Sequence, residues 1–458
     1  MTLHDTTAAD RAAGPAFRRP VSPTEWLYLG AHRLGSAMAL HLVVEGTGTL
    51  DPARLAAAVA AAAEACPGSR LVRRGREWID SGRPPQLRIA PPGGVPDPEL
   101  RQGTSLLEEP MDLVRGPGCE VLLLPGAAGA STLVLRAFHG VMDGHGARLW
   151  AAEVFRALRG EAPRPARSPL TDAALLARTG ATGRRPVLML DRPSPLAPPA
   201  GTAVGTAVQD TGGGRGGAAR TLWRRRTLPG RYTALTARLA QAVADATGAP
   251  HARVMVPADL RRHHDGPPAT GNLTLPLFLD LGAGEPWQGA QSQLLRALAG
   301  HRELADGFES ALARLPLPVV AALLRTGQGV ARRRDRHLAS AVVSHLGRID
   351  PADWSGGGFT ARTVYALPVH APLVPVSCVA VELPDRTELT VGFQGGPQLA
   401  EQAEGLMDRL VAALAGTGTA GGAADGSSRR PTDGGPMAAG VGTAAPADGP
   451  AAPAGGPG

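Results

Sequence analysis

The chain reads as an α/β protein of two lobes, and three observations carry that reading. Its 458 residues exceed what one compact core sustains, so two domains plus extras are expected. Strand-like apolar runs alternate with helix-like periodic segments on both sides of a Pro-, Gly- and Thr-rich stretch over residues 178–219. One stretch, residues 131–150 (STLVLRAFHGVMDGHGARLW), concentrates the chemistry: an apolar strand gives way to His139 and Asp143 and then to a helix. An α/β scaffold commonly presents reactive groups at such a place, because the strand fixes them while the loop exposes them.

Taken in order, residues 1–19 are polar and Ala-rich and are expected to be disordered. In the segment PVSPTEWLYLG that follows, Ser22 can cap a short helix with Pro23 at its first position and Glu25 at its third. Residues 38–45 read as a strand. Asp51 caps a helix that starts at Pro52, lines Leu55, Ala58, Val59 and Ala62 along one face, and stops at Pro67 and Gly68. Residues 71–79, 86–90, 120–124 and 131–137 are further strands, and 147–158 form a helix with Leu149, Trp150, Val154, Phe155 and Leu158 at helical spacing. These make an N-terminal lobe over residues 20–175, followed by a crossover over 176–219.

In the C-terminal lobe, residues 220–415, strands at 221–228 and 253–257 flank a helix at 231–246. Residues 272–281 are a strand with Pro276 inside, the mark of an edge or a bulge. Helices are expected at 286–305 and around 318–326. Four strands, 341–346, 359–367, 374–383 and 387–394, are expected to share one sheet, and a helix over 399–415 closes the lobe. Beyond Gly416 the sizeable apolar residues are Met437 and Val441, so residues 416–458 are expected to be a disordered tail.

Composition narrows the function. Hydrophobic residues at 43% supply an ample interior, while aromatics at 3% leave most packing to Leu, Val and Ala. All 47 basic residues are arginine against 40 acids, a balance of +7. GC-rich codon usage accounts for most of that, and a basic surface also suits an acidic partner such as a carrier protein or a nucleotide-bearing thioester. Nucleic-acid binding fits poorly, because no recognisable module occurs and the aromatics are not interleaved with the arginines. Cys66, Cys119 and Cys378 are far apart and without zinc or redox spacing, which reads as reduced structural thiols in a cytoplasmic protein. The first twenty residues hold no apolar core of a signal peptide. The apolar run at 315–324 contains Pro316 and Pro318 and falls short of the about 20 residues a membrane span needs.

Two Gly-x-Gly-x-x-Gly matches, at Gly212-Gly214-Gly217 and Gly416-Gly418-Gly421, do not sit between a strand and a helix and carry no dinucleotide reading. There is no Walker loop and no Gly-x-Ser-x-Gly elbow. His139 is the candidate catalytic base. The competing readings are a loop histidine bonded to its own turn, and a metal set of His139, Asp143 and His145 with His263 or His264, which the spacing permits but no HExxH or cysteine pair accompanies.

The stretch resembles the His-His-x-x-x-Asp-Gly signature of the CoA-dependent acyltransferase superfamily, which includes condensation domains of nonribosomal peptide synthetases, wax-ester synthases and mycobacterial polyketide-associated acyltransferases. His139 matches the second, catalytic histidine, and Asp143 and Gly144 match the Asp-Gly. Phe138 stands where the first histidine is usual. Other stretches resemble the family in the same order: PVSPTEWLYL, LDPARLAAAVAAAAEACPGSRL, VMVPADLRRH, GNLTLPLFLDL and VVSHLGRID, the last with His345 where Asn is usual. The plant-type Asp-Phe-Gly-Trp-Gly element is absent. The likeness spans residues 20–415.

The resemblance implies two chloramphenicol-acetyltransferase-like lobes with a tunnel between them and His139 at its middle. It implies transfer of an acyl group from a CoA or carrier-protein thioester to a hydroxyl or amine, with no metal or other cofactor. The partners it implies are an acyl donor, an acceptor and an acyl or peptidyl carrier protein, in natural-product or lipid biosynthesis. Asp143 takes a structural role, pointing away from the reaction to pair with an arginine, for which Arg261 is the candidate. Gly144 allows close backbone approach. Phe138, Asn272 and Ser344 are expected along the tunnel. The arginine runs at 223–226 (WRRR) and 332–336 (RRRDR) read as solvated faces, with CoA phosphates or an acidic carrier as the alternative. A non-catalytic condensation-like module and a metal-dependent hydrolase are the other function classes.

Overall fold

The computed structural model describes residues 17–91, 96–102, 104–185, 189–196 and 220–416. Residues 1–16, the Gly-rich centre of the crossover and the tail beyond Gly416 lie outside the described residues, and with them the disorder expected of both termini. The chain divides into a unit Met1–Thr419, which contains both lobes, and a second, Ala420–Gly458, which is wholly outside the described part.

The first half runs β1 (Arg18–Pro20), α1 (Pro23–His32), β2 (Ala39–Thr47), α2 (Pro52–Ala65), β3 (Leu71–Arg74), β4 (Glu77–Asp80), β5 (Gln86–Ile89), β6 (Cys119–Pro125), β7 (Ala130–Phe138), α3 (Gly144–Leu158) and α4 (Asp172–Thr179). The helix starts follow local chemistry. Glu25 N–H donates to Ser22 Oγ at 3.3 Å while Ser22 N–H donates to Glu25 Oε2 at 2.9 Å, a reciprocal capping box. Asp51 caps α2 through the N–H groups of Ala53 and Arg54. The single strand expected over residues 71–79 is a hairpin instead: Gly75, with φ of +59°, turns the chain between β3 and β4. β1 pairs with β4 in the same small sheet, so residues 17–19 are ordered, against the expectation of disorder through residue 19.

The N-terminal sheet has the order β12-β2-β7-β6-β5. Its alternation separates two faces. Leu42, Val44, Leu133, Leu135, Val121 and Leu123 share one core with Leu55 and Val59 of α2 and Trp150, Val154 and Phe155 of α3. Val43, Val134, Leu122 and Leu124 point the other way and meet Trp223 and Tyr365. Each such side chain removed from water contributes about 1.5–3 kcal/mol, which anchors both faces.

The second half runs β8 (Thr221–Pro229), α5 (Leu235–Ala246), β9 (His251–Asp259), β10 (Thr274–Gly282), α6 (Trp287–Ala299), α7 (Glu309–Leu312), α8 (Leu317–Arg334), β11 (Ala341–Arg348), β12 (Thr360–Leu367), β13 (Val376–Glu382), β14 (Arg386–Gln394) and α9 (Pro397–Ala415). Its sheet has the order β10-β9-β11-β13-β14-β8, with α5 and α9 packed on Val254, Val343, Cys378 and Val391. β10 is an edge strand, as Pro276 requires.

Among the four strands expected in one sheet, β12 is elsewhere. It leaves the C-terminal lobe and pairs antiparallel with β2, with Val364 opposite Val44 and Leu367 opposite His41. Val364, Tyr365, Ala366 and Leu367 are all buried, and Thr363 Oγ1 donates to Glu388 Oε1 at 2.9 Å on β14. A strand apolar on both faces is stable where it is covered on both. The lobe boundary drawn along the sequence at residue 220 therefore does not divide the sheets. No helix among the described residues is long and apolar enough to cross a membrane. Cys66, Cys119 and Cys378 are buried free thiols.

Candidate active site

β7 delivers the chain to the site. His139 N–H donates to Met38 O at 2.8 Å, one step beyond the Phe138–Ala39 pair of the β2–β7 ladder. The chain then turns on the Phe138 carbonyl, which accepts from Val141 N–H at 2.8 Å. Asp143 is the N-cap of α3, accepting from Gly146 N–H through Oδ1 at 2.7 Å. The helix thus begins at Gly144, three residues earlier than expected, and Asp143 belongs to its first turn rather than to a free loop.

Asp143 is almost fully buried and its two oxygens take five donors. Arg261 Nη1 reaches Oδ2 at 2.9 Å and Nη2 reaches Oδ1 at 3.0 Å. Leu273 N–H and Thr274 Oγ1 add bonds to Oδ2 at 2.8 and 2.9 Å. Burial alone would raise its pKa, but the Arg261 guanidinium and these hydrogen bonds hold the carboxyl at about 2. Arg261 is fixed in turn by the Ala269 and Gly271 carbonyls, at 3.0 and 2.7 Å. With every lone pair engaged, Asp143 is a joint between the lobes and not a proton relay.

The His139 side chain is half-buried, and its Nδ1 is the sheltered nitrogen, so Nε2 is the one open to a ligand. Its ring centroid lies 4.6 Å from that of Tyr28 on α1. Burial lowers the imidazole pKa below 6.5, opposed by its own main-chain carbonyl and by the Asp143 charge. The ring is therefore neutral at neutral pH and carries a free lone pair. Beside Tyr28 stands Asn272, 1% exposed, whose amide oxygen and nitrogen both lack a hydrogen-bond partner of normal geometry. A buried amide left in that state marks a place where a ligand's polar groups are to be met.

A second support escaped the sequence. Arg19, 3% exposed, donates from Nη2 to the carbonyls of Gly140 and Val141 at 3.3 and 3.0 Å. Its Nη1 lies 2.6 Å from Glu25 Oε1, and Trp78 Nε1 donates to Glu25 Oε2 at 3.0 Å. The residue pinning the turn after His139 comes from the segment expected to be disordered. The lone signal for it was Glu25, the single acid of its helix, next to Trp26.

Two cavities are lined by residues of both halves of the chain. One, about 160 Å³, is lined by Met38, Ala39 and His41 of the N-terminal lobe and Thr221, Trp223 and His370 from the second half of the chain. The other, about 400 Å³, is lined by Thr24, Asp172, Arg185, Leu275, Asp306 and Glu309. Neither lining includes His139. The first cavity reaches Met38, whose carbonyl binds His139, and the second reaches Thr24, one helical turn before Tyr28.

No sequence-family description matches the chain, and no curated protein does. Solved structures do. The first condensation domain of the calcium-dependent antibiotic synthetase, in complex with a substrate analogue, matches with a TM-score of 0.58 and 20% identity, over 87% of this chain and 95% of that one. The chain has the condensation-domain fold. Polyketide synthase associated protein 5 from Mycobacterium tuberculosis matches at a TM-score of 0.55 and 16% identity, over 88% of this chain and 99% of that one. A variant of the starter condensation domain of rhizomide synthetase in complex with C8-CoA matches at 0.55 and 16%, over 87% and 95%. At these identities the likeness is one of fold.

On this condensation fold several expected positions need correction. Phe138 is fully buried, packed against His32 and Trp78 at centroid distances of 5.2 and 6.1 Å, so it belongs to the core and not to a tunnel wall. Close backbone approach occurs at Gly146, where a Cβ would stand 2.0 Å from the Thr270 carbonyl oxygen, whereas at Gly144 it would meet the Leu346 side chain. Ser344 is half-buried on β11, opposite Val379 of β13. The metal set is not assembled: Arg261 occupies Asp143, His145 faces Asp259 at 3.5 Å, and His264 turns to Pro267 O at 3.1 Å. Nor is 223–226 a solvated face. Arg225 is 5% exposed and bonds Glu45 Oε1 at 3.1 Å and Glu388 Oε2 at 3.0 Å, while Arg224 and Arg226 each reach Glu404 at 2.6 Å.

Proposed function

We propose that this chain is an acyltransferase that moves an acyl group from a CoA or carrier-protein thioester to a hydroxyl or amine, in natural-product or lipid biosynthesis. The observation that carries the reading is a neutral, half-buried imidazole at the end of a central strand, bonded through its main chain to Met38, which lines a cavity that both halves of the chain share. Nε2 of His139 accepts the acceptor's proton as its oxygen or nitrogen attacks the thioester carbonyl. The new C–O or C–N bond forms, the C–S bond breaks, and the imidazolium returns its proton to the departing thiolate. Thiolate leaves readily, so neither a metal nor a covalent enzyme intermediate is required.

Asp143 and Arg261 hold the turn that aims His139, and Gly144 starts the helix behind it. Asn272, buried beside Tyr28 with neither amide atom in a hydrogen bond of normal geometry, is suited to orient the reacting groups. Ser344 and Phe138 lie further out in role, the first along β11 and the second as packing under the turn. The arginines at 332–336, on and just past the end of α8, are suited to an anionic nucleotide or an acidic carrier.

A thiol-release assay with a panel of acyl thioesters and acceptors tests the proposal. His139→Ala is expected to lose roughly 10²–10⁴-fold in rate, and full activity in that variant would remove the base assignment. The alternative, a non-catalytic module that binds a carrier protein, is favoured by Phe138 in place of a histidine. Carrier binding without thiol release from any thioester would establish it.

A further inference from the structure

Away from His139, two imidazoles and a carboxylate converge where the turn after β9 meets the turn after α6. His263 Nε2 lies 2.8 Å from Glu303 Oε1, and His301 Nδ1 lies 3.9 Å from the same oxygen. The three ligand atoms fall within 4.8 Å of one another, and the two rings stand edge to face at 5.1 Å. The Glu303 side chain is wholly buried and its Oε2 has no donor. Arg262 contacts Oε1, and a buried carboxylate oxygen such as Oε2 left without a donor is costly, which leaves room for a further positive ligand.

The hydrogen bonding of His263 is also unresolved by the protein alone. Its Nε2 faces Arg262 Nε–H at 3.1 Å, which needs a lone pair, and Glu303 Oε1 at 2.8 Å, which needs a proton. One nitrogen cannot be acceptor and donor at once. A cation seated among the three groups removes the conflict, since it accepts a lone pair from each ligand.

We propose that His263, His301 and Glu303 form a binding site for a zinc-class divalent cation, with water completing a tetrahedral shell. Two imidazole nitrogens and one carboxylate oxygen are a donor set that zinc favours, at metal–ligand distances of about 2.0–2.2 Å. Such distances bring the ligand atoms to about 3.4 Å apart. The group that must close in is His301, whose side chain is 54% exposed and free to rotate inward. Arg262 opposes the ion, because its guanidinium also contacts Glu303. It is 38% exposed and already bonds Leu298 O at 2.9 Å, so it has somewhere to go.

The site's place suggests its effect. His263 follows Arg261 by two residues, so a bound cation braces the segment that holds the partner of Asp143. It is a structural brace, independent of whether His139 performs acyl transfer.

The test is equilibrium dialysis of the full chain against zinc chloride, with cobalt absorption reporting tetrahedral ligation and thermal unfolding reporting the brace. One cation per chain and a raised unfolding temperature are expected. His301→Ala and Glu303→Gln should weaken binding at least about tenfold, and Arg262→Gln should tighten it. His251→Ala, an exposed histidine elsewhere, serves as the control and should change nothing. Because His301 is exposed, its variant folds whatever Glu303→Gln does. Absence of zinc binding by the parent chain, or equal binding by the parent and His301→Ala, overturns the site.

Discussion

Arg261 grips Asp143 with both terminal nitrogens, one to each carboxylate oxygen, across a separation of 118 residues. The pair ties the first turn of α3 in the N-terminal lobe to the turn after β9 in the other. Both members are largely out of water, and removing Arg261 leaves the Asp143 charge uncompensated, whereas Arg261 also has Asp259 at 2.9 Å.

Arg261→Met is therefore expected to cost about 3–5 kcal/mol of folding stability. Denaturant unfolding monitored by tryptophan fluorescence would measure it. Arg261→Lys should fall between, because one ammonium cannot serve two carboxylate oxygens and two carbonyls in a plane. Parent-like stability in the Met variant would mean the clamp is idle.

Acid should unfold the chain through the same pair. The Asp143 carboxyl sits at about 2 in the fold against an ordinary 3.8. A lowered carboxyl pKa means its stabilisation is complete above the ordinary value and drains away as pH falls toward the folded one. About 2 kcal/mol should disappear between roughly pH 4 and pH 2. Urea titrations across that range, with Asp143→Asn lacking this drop, would register it.

The rate profile is set by the other member of the motif. Burial holds the His139 imidazole below 6.5, so the base stays unprotonated into mildly acidic solution. The acid limb of kcat/KM should have its midpoint under pH 6.5, and a midpoint above that value would contradict the assignment.

Two glycines two residues apart should respond unequally to alanine. At Gly146 the added carbon would stand 2.0 Å from a backbone oxygen, which forces main-chain movement costing about 1–3 kcal/mol or more. At Gly144 it would lie 2.8 Å from the Leu346 Cδ1 atom, the far end of a flexible side chain. Gly146→Ala should have the lower unfolding temperature, and the reverse order would reject this packing.

Arg225 offers a separate test of how the lobes are joined. It bonds Glu45 on β2 and Glu388 on β14 and lies 3.7 Å over the Tyr365 ring on β12. Arg225→Met removes one of two guanidinium partners of Glu388, which is 1% exposed and keeps Arg386 at 3.2 Å, and should cost about 1.5–3 kcal/mol. Calorimetry would read it, and a shift within error would show that the network contributes nothing.

Much of the site was legible because its signals are local. A run of apolar residues, a polar turn and a helical stripe identify β7, the His139 turn and α3 within twenty residues, and the capping residues at Ser22, Glu25 and Asp51 act on neighbours three positions away. Arg19 and Arg225 were not legible. The carbonyls that Arg19 pins and the acids that Arg225 bonds lie more than a hundred residues off, and an arginine in sequence looks the same whether it ends in water or under a core. Likeness of position assigns Phe138 to a tunnel wall and Gly144 to close backbone approach, and the direction of one side chain and the place of one backbone contact revise both.

The sequence by itself determined most of the strands and helices, the apolar face of the long ones, and that one histidine stands at a strand end. The tertiary structure alone decided which sheet β12 joins, because a strand apolar on both faces states that it must be covered and not by what. It also decided that Asp143 caps a helix while holding Arg261, since a carboxylate's donors are chosen by where the backbone of the other lobe arrives.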